Sequence, residues 1–347
     1  MSHNNKYPMK RMLLTIILLF SFATLHGKPT MGAFYYPWYG PNGHHWTPPG
    51  HILQPTLGEY SSLSIPVIDQ HLQWANEYHI DFLMVSFWAA GGVTNSEIML
   101  LFDRTDLVPT KIALLIEPDA DLQAIKSQHY NSGGSYSNYV NNSVNWFIQR
   151  YDIIKNDHQW FSRSSYLHDP DGRKILGFFN WDSPAVTKDV ISTVLAVRPD
   201  IGASTWIWYI GSLGNKVSTV RSLLYPNKGS WAPYQPMQSN GSYSQALNKY
   251  NQFEPGMSQK IMVACPSFND TQLVGGSNTY IPRDSAYRFS QQLADIKVYA
   301  PNLNWLLITS FNEWNENSVI EPVVEYPGGP TEGTLYLGVL KSWWESW

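Results

Sequence analysis

Short apolar runs recur along the chain, with amphipathic stretches between them. Eight can be marked, at residues 31–36, 82–88, 111–116, 174–179, 205–210, 230–234, 260–265 and 305–309. Several are continuous rather than alternating, as in Lys111-Ile-Ala-Leu-Leu-Ile116. That is the pattern of a strand covered on both faces by other elements. Helical periodicity fills 65–78, 140–151, 183–197, 243–250, 285–299 and 335–343. In the first of these Pro66 takes a first-turn position, and Ile68, Leu72 and Ala75 share one stripe. Strands alternating with helices predict an α/β fold with a parallel sheet. Eight such units fit a (β/α)8 TIM barrel, a single domain with its active-site loops at the C-terminal face of the sheet. No low-complexity linker divides residues 28–347, and barrels of that length form one domain.

The N-terminus breaks the pattern. Lys6, Lys10 and Arg11 precede an apolar segment at 12–24. It is shorter than the roughly 20 residues that span a bilayer, and it has the form of a secretory signal peptide. Small residues near Ala23 and Gly27 allow cleavage after residue 27. The expectation is a secreted, periplasmic or cell-surface protein with no stable membrane insertion after cleavage. Loss of that segment removes three positive charges and moves the formal net charge from -4 to -7. A mildly acidic chain has no basic footprint for nucleic acid. Cys265 is the only cysteine, so export here implies no internal disulfide. It ends an apolar run and reads as a buried, inert thiol.

The ends of the strands change the picture most. Their C-terminal tips carry Tyr35-Tyr-Pro-Trp-Tyr39, Phe87-Trp88, Glu117-Pro118, Asn180-Trp-Asp182, Trp208-Tyr209, Tyr234-Gln-Pro236, Ser267-Phe-Asn-Asp270 and Asn312-Glu-Trp-Asn-Glu316. Core packing alone does not gather aromatic and polar groups at one end of a sheet, whereas a carbohydrate cleft at the barrel mouth does. The 15 Trp and 21 Tyr exceed what a core requires, and their faces suit the apolar faces of sugar rings. Glu313 and Glu316 leave the last strand beside Trp314. Two carboxyls at one sugar are what glycosidic cleavage needs, one to protonate the leaving oxygen and one to act at the ring. A poorly solvated mouth would hold one of them protonated near neutral pH. Glu117, directly after a buried strand, is a candidate for substrate hydrogen bonding. Tyr36, Trp46 and Trp88 are candidates for stacking. In His44-His-Trp46 the adjacent imidazoles point different ways and make a poor metal pair, so no metal site is expected there. One of them is placed to bond a sugar or hold a carboxylate. Asp182 is placed to cap a helix starting near Ser183, Asn269-Asp270 to form a turn or bind sugar, and Asp171-Gly-Arg173 to form a surface turn.

Gly32-Ala-Phe-Tyr-Tyr-Pro-Trp-Tyr-Gly40, His45-Trp46, Val85-Ser-Phe-Trp88, Leu115-Ile-Glu-Pro118, Thr309-Ser-Phe-Asn-Glu-Trp-Asn-Glu316 and Ile320-Glu-Pro322 together resemble glycoside hydrolase family 99, the endo-acting α-mannosidases. The blocks keep their order across almost the whole of 28–347. The resemblance implies a (β/α)8 barrel without metal or organic cofactor. It also implies hydrolysis within a mannan or mannose-containing glycan, with retention, through a 1,2-anhydro sugar. By position Glu313 is the base toward the sugar 2-hydroxyl and Glu316 the general acid/base. Glu117 and the opening tyrosines Tyr35 and Tyr36 line the reacting subsite, and Trp88 shapes its neighbour. His45, Trp46, Tyr234, Asn312 and Trp314 complete the candidate substrate-binding set. The chain departs from the family pattern at Asn315, where His is usual, at Asn317, where Gly is usual, and at Ser61-Ser62, where Asp is frequent near Tyr60. Two rival readings stay open: a barrel that binds carbohydrate without cutting it, and a glycosidase or transglycosidase acting on another glycan such as an α-glucan.

Overall fold

The structure is a computed structural model that describes residues 27–40, 45–46, 53–89, 94–179, 182–211, 229–232, 260–273, 279–324 and 332–347. Its centre is a curled parallel sheet: β1 (Thr30–Tyr35), β2 (Phe82–Phe87), β3 (Lys111–Ile116), β4 (Lys174–Phe179), β5 (Thr205–Ile210), β6 (Gly229–Ala232), β7 (Ile261–Ala264) and β8 (Trp305–Ile308). Hydrogen-bonded neighbours run β6-β5-β4-β3-β2-β1-β8-β7. Every pair in that series is parallel, and β6 and β7 touch at its two ends. The arrangement is consistent with a (β/α)8 barrel. All eight apolar runs became strands, to within two residues at either end.

Helices cover the outside: α1 (Ile65–Glu77), α2 (Asn95–Thr105), α3 (Ala120–Ser132), α4 (Tyr136–Asp152), α5 (Pro184–Val197), α6 (Pro199–Ser204), α7 (Tyr287–Tyr299) and α8 (Leu335–Glu345). Helices α2, α3 and α6 lie outside the segments expected to be helical. It placed a helix at 243–250, which lies outside the described residues. Ser183, not Asp182, caps α5: its side chain accepts the Val186 N–H. Asp182 instead accepts the Ser183 N–H and the Tyr139 hydroxyl, each at 2.5 Å. The turn at Gly172 is as expected, with φ +82° and Asp169 accepting the N–H groups of Asp171 and Arg173.

Strand residues alternate between two cores, because successive side chains leave opposite faces. Phe34, Phe82, Met84, Leu115, Trp206, Trp208, Val263, Trp305 and Leu307 fill the interior. Tyr35, Val85, Leu114, Phe178, Tyr209 and Ile308 face the helices. Gly32 marks the tightest point of the interior. A Cβ there would lie 2.3 Å from Cζ of Phe82. That ring is wedged edge-on against Trp208 and Trp305, at 6.0 and 5.8 Å, and has nowhere to go. Gly32→Ala is therefore expected to cost about 1–3 kcal/mol. A lowered urea midpoint at unchanged slope is the readout, and an unchanged midpoint would contradict this packing.

Candidate active site

The chain leaves β8 at Ile308 and folds back over the end of the barrel as residues 309–321, nearly all of them buried. Glu313 is held from several sides. Its own N–H donates to Ser310 Oγ at 2.7 Å, its carboxyl Oε1 accepts the Asn315 N–H at 3.1 Å, and its C=O accepts the Ser318 N–H at 3.3 Å. Asn317 turns the loop with φ +50°, in the left-handed region. Asparagine tolerates that region better than other non-glycine residues, which explains how it stands where the resemblance leads one to expect glycine. The Asn317 C=O accepts the Ser267 hydroxyl from the β7 tip, tying the loop to the neighbouring strand. Ser267 also receives Arg283 Nη1, whose second bond goes to the Val319 C=O at 2.7 Å.

Three carboxyls meet here. Glu313 is only 3 % exposed, and burial pushes its pKa well above the ordinary range, with the negative charge of Glu316 adding to the effect. Glu316 itself is partly exposed. Glu117 follows β3 and is 7 % exposed, and its pKa is pushed up to about 8. Burial is the main cause. The Ser86 hydroxyl, donating to Oε1 at 3.2 Å, opposes it, and the charge of Glu316 reinforces it. At neutral pH Glu117 is thus a protonated carboxyl that can donate a hydrogen bond. Ser86 also accepts Trp88 Nε1 at 3.0 Å, so the Trp88 ring is tied to Glu117 through one hydroxyl.

An aromatic rim stands beside the acids. Tyr36 packs on Trp38 at 4.7 Å, Trp38 stacks on His45 at 5.2 Å, and Trp88 closes on Trp38 at 6.2 Å. Trp38, His45 and Trp88 are each partly exposed. The sequence reading missed Trp38, although it lies within the opening aromatic run.

Other candidates sit elsewhere. Tyr35, expected at the substrate, faces the helices; its hydroxyl is paired with His71 Nδ1 at 3.0 Å. β1 alternates, so Tyr36 takes the interior face and Tyr35 the opposite one. Trp314, also expected at the substrate, is fully buried beneath the loop. Asn312, likewise, is fully buried and clamps Tyr36, accepting its N–H at 2.8 Å and donating to its C=O at 3.0 Å. Trp46 is 4 % exposed, packed on Tyr39 at 4.4 Å, with Nε1 donating to the Tyr60 C=O. These three are packed into the floor of the site. Tyr234 lies outside the described residues. Asn269 forms the turn that was one of its two expected roles, accepting both Thr271 groups. Cys265 is buried, and its thiol pKa is pushed far up by that burial and by the charge of Glu316, which suits an inert thiol.

The sequence reading assigned nothing to His71 or Tyr60, and Glu321 appeared in it only inside a motif. All three are buried directly under the acid loop. His71 lies on the buried stripe of α1 with Ile68, Leu72 and Ala75, which is the signal that could have found it, whereas Tyr60 and Glu321 lie outside helices and strands and carry no periodic signal.

No family model matches the chain. In sequence it is 21 % identical over 370 residues to glycoprotein endo-alpha-1,2-mannosidase of Rattus norvegicus, covering 91 % of this chain and 74 % of that one. In structure it is similar to the GH99 endo-alpha-mannosidase of Bacteroides thetaiotaomicron, with a TM-score of 0.68 at 18 % identity over 91 % of this chain and 97 % of that one. A glycoside hydrolase-like protein gives a TM-score of 0.59 at 18 % identity, covering 91 % and 94 %. The motif blocks, the sequence likeness and the fold converge, and this chain resembles the family 99 glycoside hydrolases over nearly its full length.

Proposed function

We propose that the protein is an exported, endo-acting glycoside hydrolase that cleaves α-mannosidic linkages in mannan or a mannose-containing glycan, with retention. Its catalytic unit is a single domain at 28–347, closed as a (β/α)8 barrel. The observation that carries this reading is the buried Glu313 beside Glu316 at the β8 tip, with neutral Glu117 facing the same charges.

In this reading Glu313 takes the proton of the sugar 2-hydroxyl, O2 forms a bond to C1, and the C1–oxygen bond to the leaving sugar breaks as Glu316 protonates that oxygen. Glu316 then takes a proton from water. The water oxygen bonds to C1, the C1–O2 bond opens, and O2 recovers its proton from Glu313. In α-mannosides the groups at C1 and C2 are trans-diaxial, which aligns O2 behind the leaving group. Burial makes Glu313 a stronger base than an ordinary carboxylate. The same burial favours the proton on Glu313, whereas the reacting state needs it on Glu316. The two states hold the same proton on different carboxyls of one interacting pair. Glu117 is positioned to donate to a substrate oxygen. The Oδ1 of Asn315, buried without a hydrogen-bond partner among the described residues, offers an acceptor.

The test is incubation with α-mannan and defined mannosyl oligosaccharides. Internal cleavage products and a first-formed anomer of retained configuration by proton NMR are expected. Binding without any product after long incubation would favour the carbohydrate-binding alternative. Within the same assay, Trp88→Ala removes a partly exposed ring from the rim. A contact of about 1 kcal/mol corresponds to a rise in KM of roughly fivefold with a smaller change in kcat. An unchanged KM would remove Trp88 from the subsite.

A further inference from the structure

Beneath the acid loop lies a closed polar network inside an otherwise apolar layer. Glu321 is 0 % exposed, and its carboxyl accepts three donors. Tyr60 Oη donates to Oε2 at 2.7 Å, Trp314 Nε1 to the same oxygen at 3.1 Å, and His71 Nε2 pairs with Oε1 at 3.2 Å. On its other side the His71 ring pairs through Nδ1 with the Tyr35 hydroxyl at 3.0 Å. The buried groups from Tyr35 through His71 to Glu321 are each within hydrogen-bond distance of a partner.

The network reaches both neighbours of Glu313. Tyr60 Oη, while donating to Glu321, receives Trp314 Nε1 at 3.2 Å and Asn312 Nδ2 at 3.4 Å. A second phenol, Tyr39, does the same for the main chain, donating to the Asn312 C=O at 2.8 Å and receiving the Trp314 N–H at 3.0 Å. Residues 312 and 314 are thus fastened downward on two phenols, one of which is oriented by Glu321. The residue between them, Glu313, is carried on this doubly fastened frame. The geometry points to Glu321, acting through Tyr60 and Trp314, as the positioning residue that fixes where Glu313 presents its carboxyl. This inference rests on the proposed role of Glu313 and Glu316 as the reacting pair. Glu321 touches no substrate; it acts on the frame of the loop. A misplacement of about 1 Å at a reacting group can cost on the order of 10²-fold in rate, so a fully buried anchor can matter to turnover.

The experiment compares Tyr60→Phe, Glu321→Gln and Tyr166→Phe in the full chain. Tyr166 is also a buried phenol, bonded to the Ile175 C=O at 2.9 Å, and lies in the helix-facing core away from the acid loop. Two quantities are read: steady-state kinetics on a mannosyl oligosaccharide, and amide hydrogen exchange of the segment 309–319. Tyr60→Phe leaves no cavity and removes only the hydroxyl that joins Glu321 to Asn312 and Trp314. Its kcat is expected to fall about 10- to 100-fold with KM within threefold. Exchange in 309–319 is expected to rise about tenfold, the equivalent of one buried hydrogen bond. Glu321→Gln should follow it in both readouts. Tyr166→Phe should lose a similar amount of thermal stability with kcat and loop exchange unchanged. If Tyr60→Phe and Glu321→Gln lose stability but keep wild-type kcat, or keep wild-type exchange in 309–319, the positioning role is overturned. If the wild type cleaves no mannoside, the functional reading fails by itself, and the exchange data alone decide whether Glu321 holds the loop.

Discussion

Glu316→Gln is expected to lower turnover of α-mannan by on the order of 10²- to 10⁴-fold, the usual worth of a positioned general acid. The glutamine keeps the size of the side chain and loses only the transferable proton. A substrate whose leaving group needs no proton, such as a glycosyl fluoride, should recover most of the first-step rate with this variant. Glu313→Gln should not recover with the same substrate, because the base toward the 2-hydroxyl is needed whatever the leaving group. The contrast separates the two acids in a way that loss of activity alone does not. Recovery in both variants, or in neither, would contradict the assignment of roles. The distinction is demanding because the carboxyls share one electrostatic environment: Glu316 raises both Glu313 and Glu117. Removing the charge at 316 also relaxes its neighbours, so the alkaline limb of the rate profile should shift together with the rate. A variant whose profile keeps the wild-type shape would mean that the charges do not communicate during turnover.

The strands were legible because burial on both faces writes itself as uninterrupted apolar runs, which no surface helix tolerates. The helix α2 is also written in the sequence, with Ile98, Leu101, Phe102 and Thr105 on one face. The helix α3 was not written in the same sense. It buries only Leu122, so no stripe exists to be read. What fixes its start is local: Asp119 accepts the Leu122 N–H and is itself gripped by Trp146 and Arg150 from α4. The candidate site shows the same division. Carboxyls at strand tips are visible in a sequence because charge after an apolar run is conspicuous. Which aromatic faces the ligand is not visible, since that depends on strand parity and loop path. Parity turned Tyr35 outward and Tyr36 inward, and the folded-back loop took Trp314 and Asn312 underneath. The floor of Tyr60, His71 and Glu321 brings three distant segments together; a histidine on the apolar stripe of α1 is its one local mark, and its partners are set by the tertiary path.

Glu117→Gln is expected to make the protein more stable at alkaline pH, by as much as ~5 kcal/mol at pH 9. The carboxyl of Glu117 has an ordinary value of 4.5 and a folded value of about 8. A group raised in this way binds its proton more tightly folded than unfolded. Its contribution is fully present below pH 4.5 and is lost as pH rises through about 8, because the folded state must then bury a charge that the unfolded state exposes to water. Glutamine is never charged, keeps a donor toward a substrate oxygen, and can still accept the Ser86 hydroxyl. Urea unfolding at pH 4.5 and pH 9 should therefore give curves that nearly coincide for the two proteins at the acid end and separate at the alkaline end. Glu313 is raised for the same reason, so Glu313→Gln should act in the same direction. The double variant should gain less than the sum, because the two groups interact. The wild type would then hold a cluster of carboxyls whose ionisation works against the fold, a cost that a purely structural arrangement of the same residues would have no reason to carry. Parallel stability curves for wild type and Glu117→Gln across this range would show that Glu117 is solvated and ordinary, and the picture of a poorly solvated acid cluster would fall with it.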